Sequence, residues 1–68
     1  VEKYGLYQAY LKASLCEGQR EGQAVFNAVL YTDKEIANHY RGSEFDCFYD
    51  DSKILIFLSL VFLKWSQE

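Results

Sequence analysis

Sixty-eight residues, half of them apolar and a quarter charged, fit one small globular domain over 1–68 and exclude a disordered tail, a collagen-like repeat or a low-complexity chain. The net charge of −3 sets seven scattered Lys and Arg against ten Asp and Glu, and a chain without a basic face is poorly suited to releasing counterions from DNA or RNA. One His and two Cys fall short of a four-ligand zinc set, so neither a metal nor a cofactor is expected.

The first predicted element is a helix over 2–16. Tyr4, Tyr7, Leu11 and Leu15 fall on one stripe at helical spacing, with Ser14 beside it. Tyr4, Tyr7 and Tyr10 cannot all point the same way, so at least one of them faces outward. Residues 17–22 form a polar break with two glycines. A second helix follows over 22–31, with Val25, Phe26, Val29 and Leu30 on its apolar face and Gln23 and Asn27 on another. Thr32-Asp33-Lys34-Glu35 fits a capping box in which the Thr32 hydroxyl accepts from the Glu35 amide. It opens a third helix over 33–41 that turns Ile36, Ala37 and Tyr40 inward. Gly42 suits the left-handed position that ends such a helix.

Residues 43–49 are predicted as an irregular connector whose aromatics, Phe45, Phe48 and Tyr49, pin it to the core. Arg41 is placed to pair with Asp46 or Asp50 across it. Asp50-Asp51-Ser52 then has the composition of a helix N-cap, where carboxylates meet unpaired amides and the positive end of the dipole. The fourth helix is expected over 52–65. Ile54, Leu55, Ile56, Phe57 and Leu58 would also suit a buried strand, but the segment's length and its cap favour a helix, and no partner strand is visible. The expected fold is therefore all-α, a compact bundle of four short helices with a strongly apolar last helix.

A helix apolar on nearly every face is either enclosed or shared with another chain. Small domains rarely gain more than about 3–5 kcal/mol from their own core. A homodimer is accordingly expected, with Ile54, Phe57, Leu58, Val61, Phe62 and Trp65 at its interface; a fully internal helix in a monomer is the alternative. Cys16 and Cys47 could supply a disulfide instead, or remain reduced thiols. The longest apolar run, 54–63, covers about 15 Å as a helix, half of a bilayer core, so no membrane span is expected. The opening Val1-Glu2-Lys3-Tyr4 has no basic stretch leading into an apolar run, and no secretory leader is expected.

Little in the chain suggests catalysis. His39 is the sole imidazole, and no adjacent motif supplies it with a nucleophile, although a pairing with Cys16 or Cys47 stays open. The acids of the connector miss the spacing of a calcium loop. Residues 32–52 nonetheless carry six acids against two bases, interleaved with aromatics. Glu44, Asp46, Phe48, Tyr49, Asp50 and Asp51 are thus a candidate partner-binding surface, set against plain helix capping and solvation. Residues 22–41 could also form a helix-turn-helix, but the first turn of its reading helix would hold Asp33 and Glu35.

Gly22-Gln23-Ala24-Val25-Phe26-Asn27-Ala28-Val29 and the stretch from Arg41-Gly42-Ser43 through Asp46-Cys47-Phe48-Tyr49-Asp50-Asp51-Ser52 resemble a pattern in small phage and prophage proteins. That group has a Gly-Gln-x-x-Phe-Asn-x-Leu helix and an Arg-Gly-Ser/Thr-x-x-Asp-Pro-Phe-Tyr-x-Asp connector. Val29, Cys47 and Leu55 depart from it, at places where Leu, Pro, and Pro or a small residue are usual. The resemblance implies a viral or mobile-element origin, residence in the cytoplasm of a bacterial host, and no catalytic residues. The expected function is that of a non-enzymatic accessory protein that binds a host protein, for instance in a defence system, and modulates or inhibits it by steric occlusion. A small transcriptional regulator using 22–41 and a purely structural oligomerisation module are the alternatives.

Overall fold

A computed structural model describes residues 2–67. Among them the chain forms α1 (Lys3–Cys16), α2 (Glu21–Thr32), α3 (Lys34–Tyr40), a single 3₁₀ turn (Asp51–Lys53) and α4 (Ile54–Ser66). No described residue is in a strand, so the bundle is all-α and the apolar run from Ile54 onward is helical.

The central element is α2. It buries Gly22, Ala24, Val25, Phe26, Ala28 and Val29, whereas α4 encloses only Phe57 and Val61. The most apolar helix is therefore not the most enclosed one; side-chain size decides. Gly22, Ala24 and Ala28 let neighbours approach α2 closely on more than one side, and Ala24, Ala28 and Val29 are fully buried. The aromatic rings of α1, α4 and the connector then close around it. Phe26 stacks on Phe57 at 5.5 Å, and Tyr7 meets Phe62 edge-on at 5.6 Å.

The stripe expected on α1 is narrower than its spacing suggested. Tyr7 and Ser14 are buried and Leu11 half-buried, but Tyr4 and Leu15 are nearly half exposed. Small Ser14 is buried, and its carbonyl accepts from the amides of Glu17 and Gln19 as the chain turns. Gly18 takes a positive φ of 86° in that turn, as the end of a helix favours.

The cap of α3 is also shifted by one residue. Thr32 remains helical, and its hydroxyl donates back to the Ala28 carbonyl at 2.8 Å. Asp33, extended and the sole residue between the two helices, accepts from the Ile36 amide instead. Its other oxygen receives the Lys3 ammonium and the Trp65 indole N–H, each at 3.0 Å. One carboxylate therefore joins α1, α3 and α4. Burial alone would raise its pKa, but the hydrogen bonds from Lys3, Trp65 and the Ile36 amide, with the Lys3 charge, outweigh this and hold it below 3.8.

Candidate docking surface

The connector between α3 and α4 has no regular secondary structure before its closing 3₁₀ turn, yet three carboxylates fix it. Gly42, at φ 75°, ends α3 and points its amide at Asp46 Oδ2 at 2.7 Å. Asp46 Oδ1 accepts from the Phe48 amide at 2.8 Å. Asp50 caps the 3₁₀ turn, accepting from the amide and hydroxyl of Ser52 at 3.0 and 2.6 Å. Those Ser52 bonds hold the Asp50 carboxyl below its ordinary value. Asp51 reaches across the fold, and its Oδ1 accepts from the Gly22 amide in the first turn of α2 at 2.9 Å. Arg20 adds a bond to the Phe48 carbonyl at 2.6 Å and stands 3.9 Å from Asp51. The Cys47 thiol, wholly buried, donates to the Gly22 carbonyl at 3.4 Å.

These bonds place the six residues expected to bind a partner. Asp46, Asp50 and Asp51 each hold backbone amides, so capping is their observed task. Glu44 is exposed, Phe48 is half-buried with its ring 5.9 Å from Phe26, and Tyr49 is 84% exposed. Arg41 does not pair with Asp46 or Asp50. Both oxygens of Asp46 accept from amides and Asp50 Oδ1 accepts from Ser52, and the Arg41 guanidinium carbon lies instead 5.7 Å from the centre of the Phe26 ring. Asp46, Phe48 and Tyr49 come together with Phe26, Asn27 and Arg41 around a groove of about 310 Å³ between α2 and the connector. Sequence reasoning missed Asn27 and Phe26 as part of this surface, because only the fold lays the connector along α2. Arg20 and Gly22 were missed for the same reason; a glycine inside a helical segment was the one signal available.

The residues expected at a dimer interface lie mainly inward. Phe57 and Val61 are fully buried in the chain's own core. Ile54, Leu58, Phe62 and Trp65 pack against that core, with Trp65 bonded to Asp33. The outward apolar residues of α4 are Leu55, Ile56 and Leu63, exposed by 82%, 47% and 58%. Successive turns of the helix bring them to one side, and no described helix is long and apolar enough to cross a membrane.

His39 is exposed and sits at a second hollow of about 520 Å³ with Lys3, Asp33, Glu35, Ile36, Tyr40 and Lys64. No sulfur lines this hollow. Cys16 is exposed and Cys47 buried, both free, so the disulfide is not made. Burial, with the Asp46 charge beside it, pushes the Cys47 thiol up to about 12, so it is protonated at neutral pH and inert as a nucleophile. Among the described residues no group of His, Cys, Asp and Glu could hold a metal ion.

No known family, curated protein sequence or solved structure matches the chain.

Proposed function

We propose that the chain is a non-catalytic binding module that docks on another protein through the connector and occludes that protein's working surface. The observation that carries this reading is Tyr49, 84% exposed on a loop whose neighbouring backbone amides are held by Asp46 and Asp50. A large ring presented on an immobilised segment loses little entropy on binding and makes a strong anchor. On the resemblance of 22–29 and 41–52 to small phage and prophage proteins, the partner is a bacterial host protein. The test is a photo-crosslinking amino acid placed at Tyr49, with Lys12 on α1 as the control position, in bacteria expressing the chain. The expected result is one discrete adduct from position 49 that is absent from position 12. Equal, diffuse labelling from both positions would reject the connector as a docking surface.

A second reading is self-association through α4, favoured by Leu55, Ile56 and Leu63 standing outward on one side. Light scattering across a dilution series would then give a dimer mass, and Leu55→Lys would return the monomer. A monomer at every concentration dismisses this reading. Regulation of DNA by residues 22–41 ranks below both, because Asp33 and Glu35 would bring negative charge to the phosphates.

A further inference from the structure

Taking the connector as the docking surface, we infer that the groove beside Tyr49 receives a peptide segment of the partner in which an Asp or Glu side chain stands next to an aromatic one. The polar groups lining the groove are not equivalent. Both oxygens of Asp46 are committed to backbone amides, at 2.7 and 2.8 Å. Asn27 donates through Nδ2 to Gln19 Oε1 at 3.0 Å. Arg41 is exposed and makes no hydrogen bond or ion pair among the described residues; its guanidinium is placed by Phe26, 5.7 Å from the ring centre. Contact with a ring face leaves the guanidinium N–H edge free to donate, and that edge matches a carboxylate with two parallel bonds.

The remaining walls are aromatic. Phe48 meets Phe26 edge-on at 5.9 Å and Tyr49 at 4.7 Å, so a flat ring entering beside them finds both faces and edges. A volume of about 310 Å³ suits one or two side chains rather than a helix. A cationic segment fits less well. It would have to displace Arg41 from Phe26, and the single carboxylate lining the groove already accepts two amide bonds.

Three small probes that share the indole ring system and differ in charge separate these outcomes: indole-3-acetate, indole and tryptamine. Each is titrated into the ¹⁵N-labelled chain while the amides of Asn27, Phe48 and Tyr49 and the Arg41 Nε–H are followed by NMR. Indole-3-acetate should bind at these signals about fivefold more tightly than tryptamine, the scale of one exposed ion pair. Arg41→Gln should abolish the difference and Arg41→Lys should retain part of it, with circular dichroism showing that both variants fold. Tryptamine binding as well as indole-3-acetate would overturn the carboxylate preference while leaving the groove a docking surface. Absence of response to all three probes would overturn the inference outright. The crosslink at Tyr49 judges the docking reading independently of either result.

Discussion

A methyl group added at Gly22 would meet the carbonyl oxygen of Cys47, which accepts from the Asp50 amide, and the carboxylate of Asp51, which accepts from the Gly22 amide. The Asp51 side chain could swing away but the Cys47 carbonyl is backbone and cannot, so relief requires α2 and the connector to separate. Gly22→Ala is expected to cost about 1–3 kcal/mol in urea unfolding, although alanine favours helix; an unchanged midpoint would contradict the close approach. Asp33 is the second decisive residue. Asp33→Ala removes a cap and leaves the half-buried Trp65 indole N–H without its acceptor, an expected loss of about 2 kcal/mol. The sign with pH follows from its lowered pKa. The stabilisation is fully present above the unfolded value of 3.8 and is lost as pH falls through the lower folded value. Wild-type stability should therefore decline as the pH falls below about 4, with Asp50 acting in the same direction, and Asp33→Ala should decline less steeply there.

At the scale of elements, α4 shows how an apolar composition can conceal two different faces. Phe57 is fully buried and stacked on Phe26, whereas Leu55, two residues earlier, is 82% exposed. Phe57→Ala should cost roughly 3–5 kcal/mol, enough to unfold a domain of this size. Leu55→Lys should leave stability within about 0.5 kcal/mol of the wild type. Chemical denaturation of both variants checks the assignment; destabilisation by Leu55→Lys in a monomer would mean that the outward face is wrongly placed. The connector depends on its caps in a similar way. Asp51 opens the 3₁₀ turn that leads into α4, yet it serves the first turn of α2, so the N-terminal end of that helix is completed by a residue far along the chain.

For the whole molecule, the two thiols and the buried Tyr7 report on global opening. The exposed Cys16 should react with a thiol reagent at once, and the fully buried Cys47 only as fast as the domain unfolds. Addition of urea should accelerate the slow phase alone; two fast phases would show that the junction of α2 and the connector opens by itself. Burial holds the Cys47 thiol and the Tyr7 phenol protonated up to about 12, against 9.0 and 10.0 for the free groups. The unfolded chain therefore releases these protons first as pH rises, and stability should fall from about pH 9 upward. With the acid limb set by Asp33, the stability profile is a plateau bounded on both sides.

Much of the fold was legible in the chain itself. Helical periodicity, the glycines at 18 and 42 and the cluster at 50–52 determined the four α-helices found among the described residues and nearly where each begins and ends, because these signals act within a few residues of the backbone they govern. The acidic and aromatic character of the connector was legible for the same reason. Tertiary structure alone decided which helix lies at the centre, which face of α4 looks outward, and that Asp33 joins three helices. It also decided that Arg41 rests on Phe26 rather than on an aspartate. Those outcomes depend on close packing between residues more than ten apart in sequence. There, side-chain volume and the prior claims of backbone amides outweigh hydrophobicity and formal charge.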